Sequence, residues 1–266
     1  MDRKLALVTG ASAGIGMAMA RTFAANGYDL ALTARRGDRL DKLADELRLR
    51  HGIETLTVVA DLAQAGAVDQ ILQDLADHGR QVDALVNNAG YGLPGVYAET
   101  SWADQAAFLQ VMLHAPAELA HKVLPGMIAR QFGRILNVAS LAGLIPGSQG
   151  HSLYGPTKSF LVKLSQSLHL ETLNQGVHVS ALCPGFTWSE FHDVNGTRDQ
   201  VGNATPDWLW LGADEVAAAG YEAVEANRPI CVPGAPNKTI AALAKIIPDS
   251  WTLAAMTSQT ARFRKV

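Results

Sequence analysis

Tyr154 and Lys158 stand four residues apart in Tyr154-Gly155-Pro156-Thr157-Lys158. On a helix that spacing puts both side chains on one face and within reach of each other. A tyrosine alone ionises near ~10 and is a poor acid or base at neutral pH. An adjacent ammonium stabilises its phenolate and lowers that value. The pair is therefore a candidate for general acid–base work. A second cluster is Thr9-Gly10-Ala11-Ser12-Ala13-Gly14-Ile15-Gly16. A strand, three glycines and then a helix place a pyrophosphate on a helix N-terminus. The amides point at the anion and no side chain blocks its approach. Gly10, Ser12, Gly14, Ile15 and Gly16 are the candidate residues of that turn.

The elements that must position these groups are read from hydrophobic periodicity. Short apolar runs at Leu5–Val8, Asp29–Thr33, Thr55–Ala60, Val82–Val86, Ile135–Ala139, Val177–Cys183 and Ile230–Val232 read as strands. Helical patterns lie between them at Gly16–Ala25, Arg39–Arg50, Val68–Leu75, Trp102–Arg130, Ser159–Leu173 and Ala213–Ala226. Pro116 and Pro125 fall inside the long helical stretch, which predicts a kink or break at each. Repeated strand–helix alternation predicts an α/β fold: one Rossmann-like domain with a doubly wound parallel sheet of about seven strands, covered by helices on both faces. An eight-stranded α/β barrel is the competing architecture. The phosphate turn after the first strand favours the doubly wound sheet, where the dinucleotide site falls there.

The chain has 266 residues, 48% hydrophobic and 18% charged, with a net charge of −3. That balance argues for a filled core and against disorder, a nucleic-acid footprint or strong attraction to anionic membrane. No metal spacing occurs among the 2 cysteines and 8 histidines, and Cys183 and Cys231 read as core residues. No membrane span is expected, because no apolar window is long enough. The run after Met1-Asp2-Arg3-Lys4 is too short for a secretion signal, so a cytoplasmic setting is expected.

Further motifs appear in order. Asn87-Asn88-Ala89-Gly90 ends the fourth strand, Ser140 follows the fifth in Asn137-Val138-Ala139-Ser140, and Pro184-Gly185 ends the sixth. With the glycine turn and Tyr-x-x-x-Lys, the pattern resembles the short-chain dehydrogenase/reductase family over roughly residues 4 to 232. The resemblance implies hydride transfer between a nicotinamide cofactor and a carbonyl or alcohol. It implies that Tyr154 protonates the carbonyl oxygen, Ser140 holds it and Lys158 reaches the nicotinamide ribose. It also places Asn88, Ala89, Gly90, Pro184, Gly185, Thr187 and Ser189 along the cofactor, and Asp61, with Leu62 beside it, at the adenine amino group. Asp61 also suits a helix N-cap ahead of Gln64.

The second strand ends in Ala34-Arg35-Arg36 with no acid at its tip. An acid there favours a ribose 2′-hydroxyl and arginine accommodates a 2′-phosphate, so NADP is preferred over NAD. Arg35 is expected on the phosphate with help from Ser12. Arg36 either stacks on adenine or adds charge.

One departure stands out. The family carries an asparagine in the long helix, thought to hold a water that links the lysine to solvent, and alignment puts Met112 there. The relay then runs through backbone carbonyls and water, or through His114, or turnover is slow and the protein chiefly binds its nucleotide. Tyr91, Leu93, Leu141 and Trp188 are pocket candidates. The irregular stretch at about 186–212, with Trp208 and Trp210, is either a lid over a bulky, apolar substrate or simply packs on the body. Beyond Pro233-Gly234, a C-terminal extension (about 236–266) reads as two short helices, Thr239–Ile247 and Thr252–Phe263, suited to packing or assembly. Relatives commonly form homodimers or homotetramers, and the expected partner is a small molecule. The other readings are a nucleotide sensor and a non-redox enzyme using the same Tyr and Lys.

Overall fold

The computed structural model describes residues 3–147, 149–190, 205–248, 250–251 and 253–254. The chain begins with β1 (Leu5–Thr9), α1 (Gly14–Ala25), β2 (Asp29–Ala34), α2 (Gly37–His51), β3 (Thr55–Val59), α3 (Ala67–Asp77) and β4 (Ala84–Asn87). The middle third holds α4 (Trp102–Leu109), a π-helical turn (Gln110–His114), α5 (Ala115–Ala129) and β5 (Gly133–Val138). Then come α6 (Tyr154–Glu171), β6 (Val177–Leu182), β7 (Thr187–Trp188), β8 (Leu211–Gly212), α7 (Ala213–Glu225), β9 (Ile230–Cys231) and α8 (Ala235–Leu243).

Seven strands form one open sheet in the order β3-β2-β1-β4-β5-β6-β9, every pair parallel. The order reverses between β1 and β4, which opens a crevice at the carboxyl ends of those strands. The sheet does not close, so the barrel alternative is excluded. Strand periodicity divides the core: Ala6 and Val8 face α1, α2 and α7, whereas Leu5 and Leu7 face α3 and α5. A smaller cluster of Ala139, Leu161, Val162, Ala181 and Cys183 seats α6. Cys183 is a buried free thiol in the core, whereas the free thiol of Cys231 is only half-buried.

Helix α6 starts at Tyr154, five residues before the pattern suggested. Pro156 sits in its first turn, where a missing N–H costs nothing. The prolines of the long stretch act unequally. Pro125 is exposed and α5 runs through it to Ala129, so the expected break does not occur there. Pro116 comes just after the π turn, in which Ala115 N–H reaches back five residues to the Gln110 carbonyl. Lacking an N–H, Pro116 also leaves the Met112 carbonyl without its i+4 donor.

Helix α8 begins four residues earlier than the expected Thr239 start. The second expected C-terminal helix lies largely outside the described residues, as do residues 191–204 of the expected lid. The ends of that lid are tied together by the β7–β8 pair, Thr187 opposite Leu211 and Trp188 opposite Gly212.

Candidate active site

The glycine turn joins β1 to α1 at the switch point. Gly10 N–H donates to the Thr33 carbonyl at 2.8 Å, pinning the turn to β2. A Cβ at Gly16 would fall inside contact distance of the Gly10 carbonyl oxygen, so only glycine lets helix and turn close together. Ala13, the N-cap of α1, provides no side-chain cap, and the first turn holds no acid. The amides of α1 are thus left for an anion, which is what a dinucleotide pyrophosphate needs. Thr9 and Asn88 brace the crevice. Thr9 Oγ1 accepts from the amides of Asn88 and Ala89 at 2.9 and 3.0 Å, and Asn88 Nδ2 donates to the Thr9 carbonyl at 2.9 Å.

Ser140 leaves β5 and its Oγ accepts from Ala142 N–H at 3.1 Å, capping a short 3-10 turn, Leu141–Gly143. Ser159 Oγ donates to the Gly143 carbonyl at 2.9 Å and clips this turn to α6. Ser140 and Tyr154 are brought into side-chain hydrogen bonding. Burial raises the Tyr154 phenol above its usual value, with the Ser140 hydrogen bond acting in the opposite sense. This corrects the expectation that Lys158 lowers it. Lys158 Nζ lies 5.6 Å from the Tyr154 ring centroid and donates instead to the Val138 carbonyl at 2.7 Å. Lys158 is itself buried, and burial lowers its pKa from 10.5 to about 8.

Beneath the lysine runs a polar network whose individual members sequence reasoning left without a role. Asn87 Nδ2 donates to the Pro116 carbonyl at 3.1 Å and to Asn137 Oδ1 at 2.8 Å. Asn137 Nδ2 donates to Ser165 Oγ at 2.8 Å, and Ser165 donates to the Leu161 carbonyl at 2.7 Å. Two acceptors facing Asn87 Nδ2 fix its amide orientation. Asn87 Oδ1 is then buried with no hydrogen-bond partner among the described residues. A cavity of about 10 Å³ is lined by Thr9, Asn87, Met112, Pro116, Val138 and Lys158. That is about the space of one water molecule. Met112 is buried and its Sδ would lie 2.8 Å from a Cβ at Gly90, so the thioether fills the space that glycine leaves. His114 is exposed on an outward groove with His121, away from this cavity.

At the tip of β2 the arginines differ. Arg35 is exposed, whereas Arg36 Nε and Nη2 donate to Ser12 Oγ at 3.2 and 3.0 Å. Arg36 and Arg39 both grip Glu190, and their hydrogen bonds, Arg39 first, lower its pKa. Neither Arg39 nor Glu190 was singled out by sequence. An arginine three residues into a helix and an acid 151 positions away show no local pattern. Asp61 Oδ1 accepts from Ala63 N–H at 3.0 Å and holds a turn, while α3 starts only at Ala67. Leu62 is buried beside it.

Thr187 is buried with its hydroxyl donating to the Gly185 carbonyl at 3.2 Å. Ser189 packs over the glycine turn, its Cβ 3.0 Å from where a Cβ of Gly14 would stand. Gly185 itself is covered by the buried Asn237 of α8, whose Nδ2 donates to the Pro233 carbonyl at 2.9 Å. The C-terminal extension thus packs closely over the Pro184–Gly185 loop. Of the pocket candidates, Trp188 stacks on Trp210 with centroids 4.2 Å apart, and Tyr91 packs edge-on against Phe108 at 5.4 Å. Leu93 and Leu141 are half-buried. His151, missed by sequence, sits edge-on to Tyr154 with centroids 6.5 Å apart.

A doubly wound parallel sheet, an open glycine turn at its switch point and a Ser–Tyr–Lys group over the adjacent strands define a dinucleotide-dependent oxidoreductase class. The profile of the short chain dehydrogenase family matches residues 4–199, and the chain belongs to that family. It is 35% identical to sulfoacetaldehyde reductase 2 of Chromohalobacter salexigens, over 80% of this chain and 85% of that one. It superposes on a short-chain dehydrogenase from Sphingobium yanoikuyae in complex with NADPH (TM-score 0.80, 28% identity, 99% of this chain and 96% of that chain). It superposes as well on a family member from Burkholderia phymatum in complex with NAD (TM-score 0.80, 27% identity, 91% and 92%). No helix among the described residues is long and apolar enough to cross a membrane.

Proposed function

We propose that this protein is an NADP-dependent carbonyl reductase or alcohol dehydrogenase acting on an apolar or bulky small molecule. The observation that carries the reading is the convergence of Ser140, Tyr154 and Lys158 at the strand ends that also carry the uncapped glycine turn. When bound, the nicotinamide supplies or accepts the hydride. Tyr154 Oη delivers the proton to the substrate oxygen, and Ser140 Oγ hydrogen-bonds that oxygen. Lys158 would hold the nicotinamide ribose, as the family resemblance implies, and its Nζ sits 5.6 Å from the tyrosine ring centroid.

Met112 supplies no side-chain hydrogen bond to a proton relay. Pro116 gives the Met112 carbonyl no i+4 donor, and Asn87 Oδ1 is an open acceptor; both residues line the same small cavity as Lys158. The relay therefore runs through backbone and Asn87 rather than through His114, which faces outward. The stacked Trp188–Trp210 pair, with Phe186 5.4 Å from Trp210, supports an apolar substrate wall.

NADP is favoured because the tip of β2 holds Ser12, Arg36 and Arg39 around a carboxylate and no acid of its own. The NADPH bound to the Sphingobium enzyme supports this, while NAD bound to the Burkholderia enzyme places the weight on the arginines. Oxidation of NADPH by the purified protein over a panel of ketones and aldehydes, beside Tyr154→Phe, tests the reading. Turnover should fall about 10²- to 10⁴-fold in the variant with NADPH affinity retained. Turnover equal in both proteins would reject Tyr154 as the acid. Tight NADPH binding with no consumption on any carbonyl would reject the reductase.

A further inference from the structure

The anion seat at the tip of β2 is filled by the chain itself. Glu190 Oε1 and Oε2 accept from Arg39 Nη1 at 2.7 and 2.8 Å, and Oε2 accepts from Arg36 Nη1 at 3.0 Å. The remaining guanidinium nitrogens of Arg36 hold Ser12 Oγ. One residue earlier, Ser189 lies against Gly14, whose φ is +54°. The segment leaving β7 therefore crosses the glycine turn and ends with its carboxylate on two guanidiniums. Two arginines and a serine hydroxyl arranged around a carboxylate offer the same charge-assisted donors that a phosphate monoester takes.

We infer that Glu190 is an internal competitor for the 2′-phosphate of the cofactor and sets the ratio of NADPH to NADH affinity, with Arg39 as the second phosphate-binding arginine. The inference rests on reading Arg36 and Ser12 as the 2′-phosphate seat. NADPH brings a dianion that takes Arg36 and Arg39 from Glu190. NADH brings no such group, so it leaves the Glu190 contacts in place. Both arginines and Glu190 are about two-fifths exposed. Exposed ion pairs of this kind shift an equilibrium by roughly 1.4- to 5-fold each. Releasing two of them gives an expected change of about 2- to 25-fold, shrinking as salt screens the pairs.

The test uses the full chain and its Glu190→Gln variant, titrated with NADPH and NADH by nucleotide fluorescence, with adenosine 2′-monophosphate as a competing probe. In the variant the Kd for NADPH should fall by about 2- to 25-fold and that for NADH should stay within about 2-fold. In Arg39→Ala the Kd for NADPH should rise with that for NADH unchanged. An unchanged or raised Kd for NADPH in Glu190→Gln, or equal factors for both cofactors, would overturn the competition. A parent protein that binds NADPH no tighter than NADH and ignores adenosine 2′-monophosphate would overturn the phosphate seat itself, and the competition with it.

Discussion

The buried Lys158 costs the ligand-free protein stability in a pH-dependent way that can be isolated. Its folded pKa is about 8, against 10.5 when exposed, because burial penalises the ammonium. Between those values the unfolded chain binds more protons than the folded one, so stability from this site rises with pH across that window. At roughly 1.4 kcal/mol per pKa unit, the cost of keeping the ammonium buried below pH 8 is about 3 kcal/mol. Lys158→Met keeps most of the volume and removes the charge. It gives up one hydrogen bond to Val138, worth about 1 kcal/mol. The variant should therefore be more stable than the parent by about 2 kcal/mol at pH 7. The advantage should shrink from pH 8 and vanish or reverse by pH 10.5. Urea unfolding of both proteins at half-unit steps from pH 6.5 to 10.5 reads this difference directly. A difference that stays flat with pH would refute a burial-lowered lysine.

Three other outcomes are expected from the packing. Gly16→Ala must push the Gly10 carbonyl aside, so it should weaken dinucleotide binding at least 10-fold and cost about 1–3 kcal/mol, read by fluorescence titration and thermal melting. Gly90→Ala should cost less than Gly16→Ala, because it presses on the flexible Met112 Sδ rather than on backbone, and Met112→Ala in the same chain should return part of the loss, so the double-mutant cycle will be non-additive. Asn237→Ala empties the space over Gly185 and orphans the Pro233 carbonyl. It should raise the KM for the cofactor several-fold and lower the melting temperature, although Asn237 lies in the C-terminal extension.

Much of this architecture is legible in the chain because its signals are local. Each strand is a short apolar run, the phosphate turn is one octapeptide, and Tyr154 and Lys158 are linked by helical spacing alone. The start of α6 lies five residues ahead of its periodic pattern because Pro156 reads as a breaker unless it is known to sit in a first turn. The Tyr154 shift runs opposite to expectation because local spacing gives proximity to Lys158 but not the burial that raises the phenol. Contacts joining distant segments are not legible. Glu190 meets Arg39 across 151 positions, and Asn87 meets Asn137 across 50. Asn237 over Gly185 belongs with them, because nothing in an Ala-Pro-Asn-Lys stretch announces which loop it will cover.

The π turn at Gln110–His114 has a consequence for how this segment can change over generations. Such a turn is an α-helix carrying one surplus residue, and each residue rotates the rest of the helix by about 100°. The apolar face of α5, with Ala115, Leu119, Val123 and Met127, meets the sheet only because that surplus sets its phase against α4. Losing a single codon here would swing those side chains toward solvent and carry Pro116 away from Asn87. The segment should therefore accept exchanges of residue type far more readily than any change in length.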